Sequence, residues 1–501
     1  MAAVNTPDHN ESPAGAAGES TASESTAGKS AATRAALAAC LERQRTAYLA
    51  DPYPSYQQRI ADLKTLQRML QENRDALVAA VSADYGSRSE HETLFTEYLM
   101  AVDSIKDTLK KLKRWMKPQK RHVDLVMFPG GKNRVIPQPL GVVGVIVPWN
   151  FPINLSFGPL LSAFAAGNRA MVKMSENSRQ LTQLLISLSE RYFPKEKLAF
   201  FEETGGVGIE FSKLPFDLLF FTGSSQTGSA VMAAAAQNLT PVVLELGGKA
   251  PAVIDANYPH DLAAQRIMFV KQLNAGQICT NVDYVFVHES KKAEFIDFAL
   301  QWVRQHVPDI QSKDFTSIID DRSFARLQAT LEDARSKGAT VLNLNGNISP
   351  DPTTRKFPLH IVTDTTPEMS IRQRETFGPI LMLMTYTKQD EVAAYINSKP
   401  RPLALYPFSY NRDFVDYFIR HVMSGGVTVN DALLHVGQHD LPFGGVGASG
   451  MGHYHGQEGF ITMSKLRPVF YQPKFSALKF LQPPYTGLTG KLYRFLVKLK
   501  G

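Results

Sequence analysis

From residue 141 onward, short apolar runs alternate with stretches of helical pattern, and few folds accept that alternation. Candidate strands fall at 141–147, 170–174, 217–221, 242–246 and 251–254, with intervening segments such as 226–237 reading as helix. Strands separated by helices predict a parallel sheet covered on both faces. Beyond residue 279 the pattern repeats, with strands near 284–287, 380–386 and 426–429 and helices near 291–306 and 413–422. The expected fold class is therefore α/β, with two such units in one chain. Its 501 residues suit two or three domains, and a composition 44% hydrophobic and 20% charged suits a soluble protein with a large core.

The first 33 residues differ, being mostly Ala, Ser, Thr, Gly and Glu without apolar periodicity. Such a segment buries too little surface to offset chain entropy, so residues 1–33 are expected to be a disordered tail. The segment lacks the basic start and apolar core of a secretory signal, and its acids and scarce arginines argue against a mitochondrial presequence. A cytoplasmic location is the expectation. In a reducing compartment the two cysteines, Cys40 and Cys279, are not expected to pair.

Cys279 closes the run Asn274-Ala-Gly-Gln-Ile-Cys279. The thiolate is the nucleophilic form, and at an ordinary pKa only roughly 3% of a cysteine is ionised at neutral pH, so a reactive one needs an activating neighbour. Glu245, in the apolar strand that opens Leu244-Glu-Leu-Gly-Gly-Lys249, can take a proton from the thiol or from a water that attacks an acylated sulfur. A third segment, Val147-Pro-Trp-Asn-Phe-Pro152, ends a buried strand. Its two prolines stop regular structure and leave Asn150 in a turn, where a side-chain amide can meet a developing alkoxide. Ordinary readings stand beside these: a buried apolar cysteine, and a turn asparagine bonded to its own backbone.

A dinucleotide site has two candidate glycine runs. Gly445-Val-Gly-Ala-Ser-Gly450 matches the spacing of a dinucleotide fingerprint, yet follows no clear strand and lacks an acid about 20 residues on, so it reads as a turn. Phe220-Phe-Thr-Gly-Ser-Ser-Gln-Thr-Gly228 runs from a strand into a helix. Around Gly223 and Ser224 the first backbone amides of that helix can bind a pyrophosphate, with the Ser224 hydroxyl added. A tight turn without a ligand is the alternative.

Six strings stand in the order found in aldehyde dehydrogenases: Pro148-Trp-Asn-Phe-Pro152, Phe221-Thr-Gly-Ser224, Leu244-Glu-Leu-Gly-Gly-Lys249, Gly276-Gln-Ile-Cys279, Glu375-Thr-Phe-Gly-Pro379 and Pro442-Phe-Gly-Gly-Val-Gly447. The chain resembles that family from about residue 37 to 471, and its class 3 branch most, particularly the coniferyl aldehyde dehydrogenases. Three further strings carry the narrower resemblance: Pro137-Gln-Pro-Leu-Gly-Val-Val-Gly144, Ala404-Leu-Tyr406 and Gly450-Met-Gly-His-Tyr-His-Gly456. The resemblance implies NAD(P)-dependent oxidation of an aromatic or medium-chain aldehyde to its acid through a thiohemiacetal and a thioester on Cys279, with Glu245 as base and Asn150 in the oxyanion site. It also implies a Rossmann-type dinucleotide-binding domain from 34–118 and 142–245, and a catalytic domain from 246–447. A small antiparallel bridging element from 119–141 and 448–471 completes a homodimer, and 472–501 is left as a basic tail. Lys173 and Glu176 would contact the adenosine ribose, the carboxylate favouring NAD over NADP by repelling a 2′-phosphate. Glu375 and Phe377 would hold the nicotinamide ribose, with Arg374 where relatives often carry an acid. A coenzyme A-acylating dehydrogenase and a non-catalytic relative are the alternatives, the first disfavoured by a hydrolytic base at Glu245.

The net charge of +7 is local: from Tyr471 onward there are six Lys or Arg and no acid. That placement, without a nucleic-acid motif, argues against nucleic acid as a partner. Leu492, Phe495, Leu496 and Leu499 form an apolar stripe in this tail, suited to a protein surface or to weak contact with an anionic membrane. His435 and His439 lack the glutamate and cysteine neighbours of a zinc site, and no metal is expected. Tyr98, Phe151, Tyr284 and Phe443 are candidate walls of an apolar substrate tunnel.

Overall fold

The computed structural model describes the chain from residue 19 to 501. The expected tail divides there: residues 1–18 lie outside the described residues, whereas Glu19–Ala50 form one helix. The correction has a local cause. Alanine, the best helix former, dominates the stretch around residues 31–41, and Leu37 and Leu41 are buried against the sheet beyond.

The first unit is a six-stranded sheet in the order Gly450–Met451, Val242–Leu246, Leu218–Gly223, Val142–Ile146, Arg169–Lys173, Leu198–Phe201. All neighbours pair in parallel except the short edge strand Gly450–Met451, which runs antiparallel to Val242–Leu246. Successive side chains face opposite ways, as the pleat demands. Val143, Val145, Val172 and Phe220 pack under the helices Tyr56–Glu72, Met100–Trp115 and Asn154–Ala166. Val142, Ile146, Met171 and Phe221 pack on the other face, where Leu37 and Leu41 of the first helix close the layer.

The second unit is a seven-stranded sheet: Thr340–Asn343, His360–Thr363, Ile380–Tyr386, Val282–His288, Ala250–Ile254, Ala404–Phe408, Gly426–Val427. Only Thr340–Asn343 is antiparallel to its neighbour. The last strand is shorter than the 426–429 read from the sequence. A separate antiparallel sheet joins Gln119–Arg121, Lys132–Pro139 and Ser464–Tyr471. Residues 450–462, grouped by sequence with this small sheet, instead complete the first unit: Gly450 pairs with Glu245, and helix Gly456–Thr462 packs on Asn154–Ala166.

Strand order in the first sheet reverses between Val142–Ile146 and Leu218–Gly223, since the chain leaves the former to build one side and returns to build the other. A crevice opens beyond the carboxyl ends of strands at such a switch point, and ligands of doubly wound sheets bind there. The segments that follow these two strands carry Asn150 and Ser224.

Candidate active site

The segment leading to Cys279 has a strained backbone. Asn274 (φ 52°), Ala275 (φ 48°) and Gly276 (φ 72°) are consecutive left-handed residues, a conformation that costs about 1–2 kcal/mol for each residue with a side chain. Hydrogen bonds over-determine it. The Asn274 N–H donates to Glu92 (3.0 Å), and its side-chain amide donates to the carbonyls of Gln277 (3.1 Å) and Asn150 (3.2 Å). Gln277 Nε2 donates to the carbonyls of Asn274 (2.9 Å) and Ser317 (3.1 Å). A Cβ at Gly276 would strike the Gly378 carbonyl, so the two loops meet closely only because that residue is glycine.

The Cys279 thiol remains partly accessible beside the core of the first unit. Burial, then the negative charges of Glu375 and Glu245, push it up to about 12. Glu245 is 3% exposed, and neither of its carboxyl oxygens has a hydrogen-bond partner. Burial alone raises its pKa well above the ordinary carboxylate range. Both shifts favour the uncharged forms, which a poorly solvated site tolerates best.

Asn150 lies past the end of Val142–Ile146 and is 3% exposed. It does not bond its own backbone in the way of a simple turn residue. Its Nδ2 makes a long 3.4 Å bond to the carbonyl of Gln277, two residues before the thiol, and its Oδ1 has no partner. Its main-chain carbonyl accepts from Arg88 (3.0 Å), the Tyr85 hydroxyl (3.0 Å) and Asn274. The neighbouring Trp149 ring meets Phe377 edge-on at 5.5 Å.

Glu375 and Phe377 stand on a clamped loop. The Thr376 N–H and hydroxyl donate to Asp283 (2.8 and 2.6 Å), Arg326 donates to the Thr376 carbonyl (2.6 Å), and Lys249 pairs with Asp283. Phe377 is held at φ 44°, another left-handed residue with a side chain. A Cβ at Gly247 would come within 2.5 Å of the Glu375 carboxyl. Burial and the neighbouring Asp283 push that carboxyl up to about 8.

Across the crevice, Gly223 ends its strand and Ser224 caps helix Ser225–Ala236, its Oγ accepting the Thr227 N–H at 3.2 Å. The hydroxyl expected for a pyrophosphate thus serves as a helix cap. The N–H groups before Thr227 are left without acceptors inside the helix, which suits an anionic group. Lys173 is buried with its Nζ 2.8 Å from Glu203, and the exposed Glu176 accepts from the Ser175 hydroxyl at 3.2 Å. Glu203, which also accepts the Gly205, Val207 and Gly208 N–H groups, carried no signal in the sequence. Free amide donors and a lysine with a carboxylate partner fit a dinucleotide, so the chain's own groups suit that cofactor.

The candidate tunnel residues separate. Tyr284 is 2% exposed inside the second core against Phe286 and Tyr395, so it does not line a tunnel; its strand is central in the sheet and both its faces are covered. Phe151 packs with Leu273 and Ile278, the latter adjacent in sequence to Cys279, and Leu155 and Leu433 border that cluster. Phe443 stacks on His455 and meets Tyr454 edge-on. Tyr98 borders the first core. Tyr454, unremarked in the sequence, is fully buried where burial and the charges of Glu245 and Cys279 raise its hydroxyl far above its usual value. His435 bonds Thr428 (2.7 Å) and His439 bonds Asp103 (2.8 Å). Gly445–Gly450 form a turn against the strand of Glu245 and run directly into the strand Gly450–Met451 rather than into a helix that would cradle a phosphate.

A doubly wound sheet with free amide donors at its switch point, and a thiol close to a buried carboxyl, suits a dinucleotide-dependent oxidoreductase. The sequence model of the aldehyde dehydrogenase family matches residues 10–469. The chain is 46% identical to the probable coniferyl aldehyde dehydrogenase of Pseudomonas aeruginosa, over 92% of this chain and 96% of that one. It is 43% identical to the coniferyl aldehyde dehydrogenase of a Pseudomonas species, over 87% and 91% respectively. Among solved structures, AldH of Staphylococcus aureus in a substrate-bound state superposes with a TM-score of 0.86 at 32% identity, covering 91% of this chain and 98% of that one. The chain belongs to the aldehyde dehydrogenase family, and it is an NAD(P)-dependent enzyme that oxidises aldehydes.

Proposed function

We propose that the enzyme converts an aromatic aldehyde of the coniferyl type to its carboxylic acid, with NAD as the preferred acceptor, through an acyl group held on Cys279. The observation that carries this reading is Glu245: a buried carboxyl with no hydrogen-bond partner costs stability and is rarely kept without a chemical task. Attack of the Cys279 sulfur on the carbonyl carbon, with its proton passing to Glu245, gives a thiohemiacetal whose oxyanion meets the Asn150 amide and the Cys279 N–H. Bound NAD supplies the hydride acceptor that turns the adduct into a thioester. Glu245, once it has passed the thiol proton on to solvent, takes a proton from water, the hydroxide adds to the thioester carbon, and the acid leaves as the Cys279 sulfur is released. Lys173 and Glu176 would hold the adenosine ribose, Gly223 and Ser224 the pyrophosphate, and Glu375 and Phe377 the nicotinamide ribose.

Support for an aromatic substrate comes from the two relatives named for coniferyl aldehyde and from the apolar wall of Phe151, Leu273 and Ile278. A panel of aldehydes with NAD and with NADP tests the reading by absorbance of the reduced nicotinamide. Highest kcat/KM is expected for coniferyl-type aldehydes with NAD. Preference for short aliphatic aldehydes would reject the substrate class, and turnover dependent on coenzyme A would reject hydrolysis by Glu245.

We infer further that the enzyme is a cytoplasmic homodimer whose carboxy-terminal helix, Gly487–Lys500, rests on anionic membrane surfaces. Phe495 and Leu499 of the apolar stripe are exposed, with Phe475, Phe480 and Tyr485 exposed nearby. Six cations without an acid accompany them. Among the described residues no helix is long and apolar enough to cross a membrane. The protein is expected to sediment with vesicles containing phosphatidylglycerol, less so at high salt, and not with phosphatidylcholine alone. Equal recovery from both, or none from either, would refute the electrostatic contact.

A further inference from the structure

Beneath the Asn150 loop lies a buried ion pair that no step above uses. The side chains of Arg88 and Glu97 are both 0% exposed, with Nη1 and Oε1 2.8 Å apart. Arg88 Nη1 donates to the Asn150 carbonyl at 3.0 Å, and Glu97 Oε2 accepts the N–H groups of Ile153 (2.6 Å) and Asn154 (3.2 Å). The pair thus grips the loop on both sides of the Phe151-Pro152 step. Glu97 is brought there by a π-helical turn, Leu94–Leu99, a rare insertion that often marks a functional position. One turn earlier Glu92 accepts the Asn274 N–H (3.0 Å), the Thr316 hydroxyl (2.6 Å) and the Gln272 amide (2.8 Å), fixing the start of the cysteine loop.

Desolvating two charges usually costs more than their attraction returns, so apolar residues of similar size would serve the core better. What the pair supplies is position. The Asn150 side chain has one long hydrogen bond and an unpartnered oxygen, so its own contacts do not fix it; the main-chain bonds from Arg88, Tyr85 and Asn274 do.

We propose that Arg88 and Glu97 are positioning residues for the oxyanion site, holding the Asn150 backbone so that its amide meets the charge developing on the substrate oxygen. The inference rests on the assignment of Asn150 as oxyanion donor. A misplacement of about 1 Å at such a donor costs on the order of 10- to 100-fold in rate.

The test is a double-variant cycle on the full-length enzyme, with kcat and KM measured under saturating NAD. Arg88→Lys keeps the charge but is shorter, and so withdraws the one nitrogen, Nη1, that meets carboxylate and carbonyl together. It is expected to lower kcat on the order of 10-fold or more with little change in KM, while the rate of Cys279 alkylation by iodoacetamide stays the same. In the Asn150→Ala background the same substitution should change kcat less than about twofold, because the group it positions is gone. Effects that multiply in the double variant, or an unchanged kcat in Arg88→Lys, would overturn the proposal. Full activity in Asn150→Ala alone would instead overturn the oxyanion assignment, and the positioning role with it. Should Arg88→Lys melt early, Glu97→Gln enters the same cycle, since it keeps an acceptor for Ile153 and Asn154 and removes only the charge.

Discussion

Replacing Cys279 by alanine should abolish aldehyde oxidation, with kcat falling on the order of 10⁴-fold or more. The expectation follows from the absence of a substitute. Cys40, the other thiol, belongs to the helix Glu19–Ala50 on the far face of the first sheet. The alanine variant should fold, because the strained turn before residue 279 is held by Asn274, Gln277 and Asn281 rather than by the sulfur. Wild-type enzyme quenched during turnover should carry one acyl group on Cys279 by mass spectrometry, and Cys279→Ala none. Substantial turnover in the variant, with cofactor reduction still coupled to acid formation, would end the covalent mechanism.

Glu245→Gln should move activity and stability in opposite directions. Loss of the base lowers turnover on the order of 10²- to 10⁴-fold, and the acyl adduct should accumulate because its hydrolysis is the step left unassisted. Stability should rise by about 1–2 kcal/mol at pH 8, the usual trade between a strained catalytic group and the fold. The sign follows from linkage. Burial raises the Glu245 pKa, so the folded enzyme retains a proton that the unfolded chain releases above about pH 4.5. Wild-type stability from this group therefore falls as pH climbs from that value towards the raised one, and the glutamine variant escapes the loss. Thermal melts at pH 4 and pH 8 decide it: near-equal stabilities at pH 4 and a more stable variant at pH 8 are expected. A variant less stable at pH 8 would mean that Glu245 has partners in the folded enzyme that lower its pKa.

The strands of both units were legible because buried parallel strands are short continuous apolar runs, and Val242–Leu246 and Ile380–Tyr386 begin and end where their runs do. Edge strands were less so: Thr340–Asn343 is half-exposed and shows no apolar run, and of the strand read at 426–429 only Gly426–Val427 forms. Helix Glu19–Ala50 was hidden because its first half has no apolar stripe, and alanine-rich helix differs little in composition from polar coil. Among the candidate site residues, Glu245 could be singled out because it interrupts an apolar strand, Asn150 because it follows one in a proline-bounded turn, and Cys279 because it is one of two cysteines. Arg88, Glu97, Glu203 and Asp283 could not, since a charged residue in a polar stretch reads as surface until a partner is seen.

The sequence by itself determined the α/β class, the family and the types of reactive group, because periodicity and local strings are properties of neighbouring residues. Tertiary structure alone decided what those groups meet: that Glu245 is buried without a hydrogen bond, that Ser224 spends its hydroxyl on a helix cap, and that an arginine 62 residues before Asn150 holds its carbonyl. Burial and long-range hydrogen bonds depend on which distant segments share a site, and these set both the protonation of a group and its aim.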